Sequence, residues 1–146
     1  MSPDTMNDNT VRARSILIAE GCTCVICKGD DVIRFTERGV KPLLSLLDSG
    51  KSFKGWSSAD KVVGKASAML YTLLGMDEVY APVMSKGAIK VLSEYRIKEY
   101  HDEETEMIIN RQGTGMCPME DAVKGSSTAE DALLRIRMRL SELNNQ

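Results

Sequence analysis

The sequence predicts an α/β fold, a three-layer α/β/α sandwich with a mixed sheet. Three observations predict it. Two short apolar runs, 22–27 and 32–36, flank Lys28-Gly29-Asp30-Asp31, a tight-turn signal, and read together as an antiparallel hairpin. Two later strand-like runs, 78–83 and 96–100, each follow a helical pattern, the order that makes parallel crossovers. The composition is globular, with 42% hydrophobic and 27% charged residues in 146, enough chain to bury one core.

Each element has its own signal. Thr10 is placed to cap a helix over 11–20 that stops at Gly21. Pro42 starts a short helix over 43–48, and 50–58 is a loop carrying glycine and serine. Ser58 is placed to cap a long helix over 59–74, ended by Gly75. Ser85 caps another that reaches about Tyr95. A polar segment, 101–106, leads to Met107-Ile108-Ile109, and 110–120 has no clean period. A final helix from Thr128 carries Leu133, Ile136, Leu140 and Leu143 on one face. Residues 1–10 are polar, lack the form of a signal peptide and are expected to be a flexible tail, leaving 11–146 as a single domain.

Charge and composition exclude several classes of function. With 19 basic and 21 acidic residues the net charge is −2, which argues against nucleic acid as a partner. Aromatics at 5% offer few stacking platforms. No long apolar segment argues for a membrane. The cysteines Cys22, Cys24, Cys27 and Cys117 read as reduced thiols of a cytoplasmic protein.

Four constellations bear on chemistry. Cys22, Cys24 and Cys27 are too spread over two faces of one strand to wrap a metal, with Cys22 and Cys24 expected on one face and Cys27 on the other; core packing accounts for them. Gly50-Lys51-Ser52 resembles the end of a phosphate-binding loop, but Ser45 stands where the pattern needs glycine. Ser57 and Asp60 have nearly the spacing of a capping box, with Lys61 and Lys65 one turn apart; helix amides and lysines there would hold an anion. Gly64 and Ala68 mark close packing of that helix on the sheet.

The sharpest constellation is Asn110-Arg111-Gln112-Gly113-Thr114-Gly115-Met116-Cys117-Pro118-Met119-Glu120. Gly113 and Gly115 free the backbone to face a ligand, and Asn110, Arg111 and Thr114 supply polar groups. Pro118 suits a first helical turn, which sets Cys117 at an N-cap, where the positive end of the dipole favours a thiolate. The lone His101 and the acids around it read as a solvated surface, as do Arg135, Arg137 and Arg139 on the last helix.

This last motif resembles that of an uncharacterised prokaryotic family of unknown function with a cytidine-deaminase-like fold. So do Gly39-Val40-Lys41-Pro42-Leu43-Leu44, Ala59-Asp60-Lys61-Val62-Val63-Gly64-Lys65-Ala66 and Val79-Tyr80-Ala81-Pro82-Val83-Met84-Ser85-Lys86. The resemblance spans about 11–124. It implies the same sandwich, hairpin first. Zinc deaminases use His-x-Glu, or a Cys in place of the His, at one helix start and Pro-Cys-x-x-Cys at the next, which supply three zinc ligands and a general acid/base. The matching positions here are Ala59-Asp60-Lys61 and Pro82-Val83-Met84-Ser85, which keep the proline and lack the histidine and both cysteines. Zinc-dependent deamination is therefore rejected, and no metal or other cofactor is expected.

The resemblance leaves a pocket between those helix starts, with Asp60 and Lys61 on one side, Ser85 and Lys86 on the other, and 110–117 closing over it. The first reading is a metal-free domain that binds a small anionic molecule, nucleotide-like or another phosphate or carboxylate. The second is an enzyme with Cys117 as nucleophile or sulfur carrier and Asp60 or Lys61 handling protons. The third is a structural module, a homodimer anchored by Phe53 and Trp56, unless those rings cover the core edge.

Overall fold

The structure is a computed structural model, and it describes residues 5–110 and 112–145. Arg111 and the first four positions of the expected tail lie outside the described residues. The elements run α1 (Asp8–Glu20), β1 (Cys24–Lys28), β2 (Asp31–Phe35), α2 (Lys41–Asp48), β3 (Ser57–Asp60), β4 (Val62–Val63), α3 (Lys65–Leu74), β5 (Glu78–Ser85), α4 (Lys86–Glu94), β6 (Lys98–Thr105), α5 (Pro118–Ala122) and α6 (Ala129–Asn144).

The hairpin forms as the turn signal predicts, with Lys28 opposite Asp31 and Cys24 opposite Phe35. β1 also pairs antiparallel with β3, and β3 pairs parallel with β5. β6 runs parallel to β5 along its whole length, including Val83 and Met84, the residues that β4 also pairs with. A strand has two edges, so β4 lies on the β3 side of β5. β3 and β4 are one strand interrupted at Lys61.

Helices cover the two faces of this mixed sheet unequally. α1 packs on one face through Ala13 and Leu17, against Val25, Cys27, Ala59 and Tyr80. The other helices share the larger core on the opposite face, around Ile26, Leu70, Val79, Met84, Leu92 and Ile136. This is the three-layer α/β/α arrangement.

Several expectations are corrected. The predicted helix over 59–74 is strand, break and helix, and α3 starts only at Lys65. Ser57, Ser58 and Ala59 are fully buried in the middle of the sheet. Small polar residues have low strand propensity, so burial between β1 and β5 decides the conformation rather than local preference. Ser57 is not part of a capping box: its hydroxyl bonds Asn7 Oδ1 at 3.2 Å.

Residues 8–10 of the expected tail are helical. Asn7, not Thr10, caps α1, its Oδ1 accepting from Thr10 N at 2.8 Å. Thr10 is buried and donates to the buried Glu78 Oε1 at 2.7 Å. The polar segment after residue 100 continues β6 up to Thr105 as an edge strand. There His101 Nδ1 lies 2.6 Å from Glu99 Oε2 rather than being simply solvated.

Cys24 faces the large core, while Cys22 shares the α1 face with Cys27 because it precedes the regular strand. Phe53 is buried and Trp56 packs against the same core, with ring centroids 5.5 Å apart, so these rings cover the core edge. On α6, Ala129, Ala132 and Ile136 form the buried stripe, and Leu143 is exposed. Its arginines are clamps: Arg137 pairs with Asp48 of α2 at 2.9 Å, and Arg139 with Asp121 of α5 at 3.1 Å.

The Asn7 carboxamide joins the α1 cap to β3. Asn7→Ala should cost about 1–2 kcal/mol, the upper part of the range for a lost cap, read as a lower midpoint in urea unfolding at unchanged slope.

Candidate functional site

Where β3 breaks at Lys61, the chain opens a cleft of about 700 Å³. Its walls come from the turn before α2, from the β3–β4 break, and from the segment that runs through Ile108 into α5. Asp60, Lys61, Asn110 and Cys117 all line it. Ser85 and Lys86 do not. The Ser85 hydroxyl is buried as the cap of α4, accepting from Ala88 N at 3.0 Å, and Lys86 Nζ pairs with Glu106 at 2.5 Å. A smaller cavity of about 430 Å³, beside the start of β5, contains none of the predicted residues.

Residues 108–110 and 112–117 pair as a short hairpin. Ile109 bridges Met116, and Asn110 N donates to Gly115 O at 2.8 Å. Asn110 Oδ1 accepts from Thr114 N at 3.0 Å, and its amide nitrogen donates to Thr114 Oγ1 at 3.1 Å. Gly113 sits at φ 72°, the left-handed region that glycine enters without strain. Asn110 and Thr114 thus fold the hairpin on itself. Gly113, Thr114 and Gly115 form its tip and do not line the cleft. Cys117 is half-buried at the start of α5, but that helix is five residues long, so the dipole at its N-terminus is small.

The floor of the cleft holds a polar network that the sequence did not suggest. Tyr71, fully buried on α3, donates to Asp60 Oδ2 at 2.8 Å. Its hydroxyl also lies 2.7 Å from Ser58 Oγ and 3.5 Å from Cys24 Sγ. Burial pushes the Asp60 carboxyl up to about 7, against the pull of the Tyr71 hydroxyl and of the Val62 and Lys61 amides. Burial, reinforced by the Asp60 charge, holds both the Cys24 thiol and the Tyr71 phenol well above their ordinary ranges. Cys24 is therefore a neutral member of the network. Asp60 is the member that gains and loses a proton near neutrality, and it faces the cleft.

The start of α3 is organised differently from the expectation. Gly64 occupies the N-cap position and has no side chain to cap with. Glu120, from α5, supplies the missing acceptor: Oε1 accepts from Lys65 N at 2.8 Å and Oε2 from Ala66 N at 2.9 Å. The anion that the sequence assigned to an outside ligand is the chain's own carboxylate. Burial raises the Glu120 pKa, while those two amides and the Lys65 charge oppose the rise. Gly64 has an ordinary extended backbone, but a Cβ there would collide with the Glu120 carboxylate where it now sits. Its smallness serves Glu120, not helix–sheet packing. Lys65 does not stand a helical turn from Lys61; its ammonium donates to Ser126 O at 2.7 Å and steadies the exit from α5.

Sequence reasoning missed Tyr71, Ser58, Cys24, Gly64 and Glu120. The one local signal was a glycine before a helix that lacks a capping side chain of its own. Arg38, on the rim, was also missed. Among the described residues neither Arg38 nor Lys61 has an ion pair, and no group of three or more His, Cys, Asp or Glu could hold a metal ion. No helix of the described residues is long and apolar enough to cross a membrane.

Fold and cleft define a mixed-sheet α/β/α domain with a polar-floored cleft. The chain belongs to the TM1506 family, a domain of unknown function (DUF1893), whose model matches residues 12–140. The match extends beyond the motifs into α6. It is similar to a solved structure, a DUF1893 family protein (TM1506) from Thermotoga maritima. That protein is 27% identical, the match covers 97% of this chain and 95% of that one, and the TM-score is 0.83. None of the curated proteins matches the chain.

Tyr71→Phe would leave Ser58 and Asp60 without their shared partner and should cost about 1–3 kcal/mol, measured by denaturant unfolding. The Asp60 carboxyl should titrate with a midpoint near 7, read by carbon NMR of its side chain. The folded chain binds this proton more tightly than the unfolded one, whose aspartates titrate near 3.8. The stability Asp60 contributes is therefore full below that value and falls as pH rises through 7. A flat stability curve across that window would contradict the assignment.

Proposed function

We propose that this chain is a metal-free small-molecule-binding domain on a cytidine-deaminase-like sandwich, and that its ligand is a small anion seated in the Asp60 cleft. The supporting observation is the cleft itself: about 700 Å³, with two exposed cations, Arg38 and Lys61, at its mouth and a proton-carrying floor. The volume suits a metabolite-sized molecule. Of the three acids that line the cleft, Glu120 is compensated by two amides and Asp60 sheds its charge below neutrality, while Glu37, exposed beside Arg38, opposes an anion. Four free thiols fit a cytoplasmic setting.

Thermal-shift titrations with inorganic phosphate, citrate and nucleoside monophosphates test this. At least one should stabilise the protein saturably, by about 2.7 kcal/mol at a hundred times its Kd. Lys61→Ala and Arg38→Ala should each weaken that response. Binding of sulfate, an anion whose charge is constant over the interval, should be tighter at about pH 6 than at about pH 8, because protonating Asp60 removes a like charge. No shift from any of them would remove the anion reading.

A second reading is favoured by one observation: the Cys117 thiol lines the same cleft as Asp60. An enzyme using Cys117 as nucleophile or sulfur carrier would place both groups there. Full ligand binding by Cys117→Ser, together with no adduct on Cys117 after incubation with that ligand, would leave only the binding role.

A further inference from the structure

The lining of the cleft has two unlike parts. The cationic part is built around Thr23. Lys61 N donates to Thr23 O at 3.0 Å, and Thr23 Oγ1 donates to Glu37 O at 2.6 Å. Those two bonds tie the backbone at Lys61 and the turn that carries Arg38 to one residue. Both side chains line the cleft, and neither has an ion pair among the described residues.

The other part is apolar. Ile108 and Ile109 of the hairpin and Leu143 of α6 contribute to it, as do Val40, Pro42 and Val62. Cys117 N donates to Ile108 O at 3.0 Å, and Arg139, one helical turn before Leu143, donates to Pro118 O at 2.9 Å. The hairpin and the end of α6 therefore meet at Cys117 and Pro118. Val62, Ile109 and Leu143 are exposed, at 43%, 49% and 39%. One exposed apolar side chain is ordinary, but several converging on one concavity mark a surface that gains by being covered. A sulfate-sized anion on the cations would leave these side chains in water.

We propose that the ligand of the cleft is an amphipathic anion, with a charged head on Arg38 and Lys61 and an apolar body laid along Val62, Ile108 and Leu143. The charged head rests on the anion reading given above; the apolar body does not. Covering the wall removes apolar surface of both partners from water, so affinity should grow with the size of the body.

Straight-chain alkanoates separate the two parts, because butanoate, hexanoate and octanoate share one head and differ in apolar length. In titrations of the full chain followed by NMR, affinity should rise roughly threefold per added methylene. Leu143→Ser and Val62→Ser, both at exposed positions, should each weaken octanoate by roughly fivefold and leave butanoate nearly unchanged. Lys61→Ala should weaken every member by the same factor and leave the dependence on length intact. Saturating octanoate should slow alkylation of Cys117 by iodoacetamide, since that thiol lines the same cleft.

Octanoate binding no tighter than butanoate would overturn the amphipathic ligand and leave the anion reading standing. An unchanged length dependence in both serine variants overturns it as well, and so does an unprotected Cys117, since either result places the apolar body elsewhere. Octanol binding as tightly as octanoate, with Lys61→Ala and Arg38→Ala without effect on either, overturns the charged head, and that failure belongs to the anion reading.

Discussion

Two peptide amides at the start of α3 end on a carboxylate from the far side of the sequence. A helix begins with several donors that its own turns cannot satisfy. Gly64 offers no side chain to meet them, so the cap comes from Glu120, 55 residues beyond Lys65. Much of the cleft follows from that contact. It sets where α5 lies, and α5 sets the base of the hairpin that walls the cleft. It requires a glycine at position 64, and it leaves the Lys65 ammonium free to hold the chain as it leaves α5. A negative group in this place also gains from the positive end of the α3 dipole.

The second constraint is the small-residue strand at the centre of the sheet. Ser57, Ser58 and Ala59 leave room for a tyrosine from α3 to reach the sheet and for α1 to press on the other side. The space is filled by hydroxyls and a thiol, and they must satisfy one another because water does not reach them. Asp60 stands at the open end of this chain of bonds. Its acidity is set by the same burial that builds the core, so the chemistry of the cleft and the packing of α3 are a single property.

Local signals made much of the fold legible. A glycine-bearing turn gave the β1–β2 hairpin, Ser85 and Thr128 gave the starts of α4 and α6, and Gly75 gave the end of α3. What failed was decided at long range. Thr10 looks like a cap, but its hydroxyl is claimed by Glu78, 68 residues away. Ser58 looks like a cap because nothing nearby reveals that it lies between two strands. The cleft divides in the same way. Asn110 and Cys117 announced themselves by type and spacing, whereas Asp60 and Lys61 were set beside a pocket by the family resemblance. Tyr71 is one apolar-looking position in a helix, and Glu120 reads as an ordinary acid in a first helical turn. Their roles exist only once distant elements meet.

The charge on β6 has a bearing on how copies of the protein meet. The strand runs for eight residues at the edge of the sheet and carries Glu99, Asp102, Glu103 and Glu104. A second chain adding to that edge would lie roughly 4.8 Å away, bringing its own carboxylates into the field of these. The open backbone groups invite such pairing, and the side chains oppose it. The acidity that the sequence displays as a plain surface segment is thus a barrier to sheet extension, strongest in dilute buffer and weakened by salt.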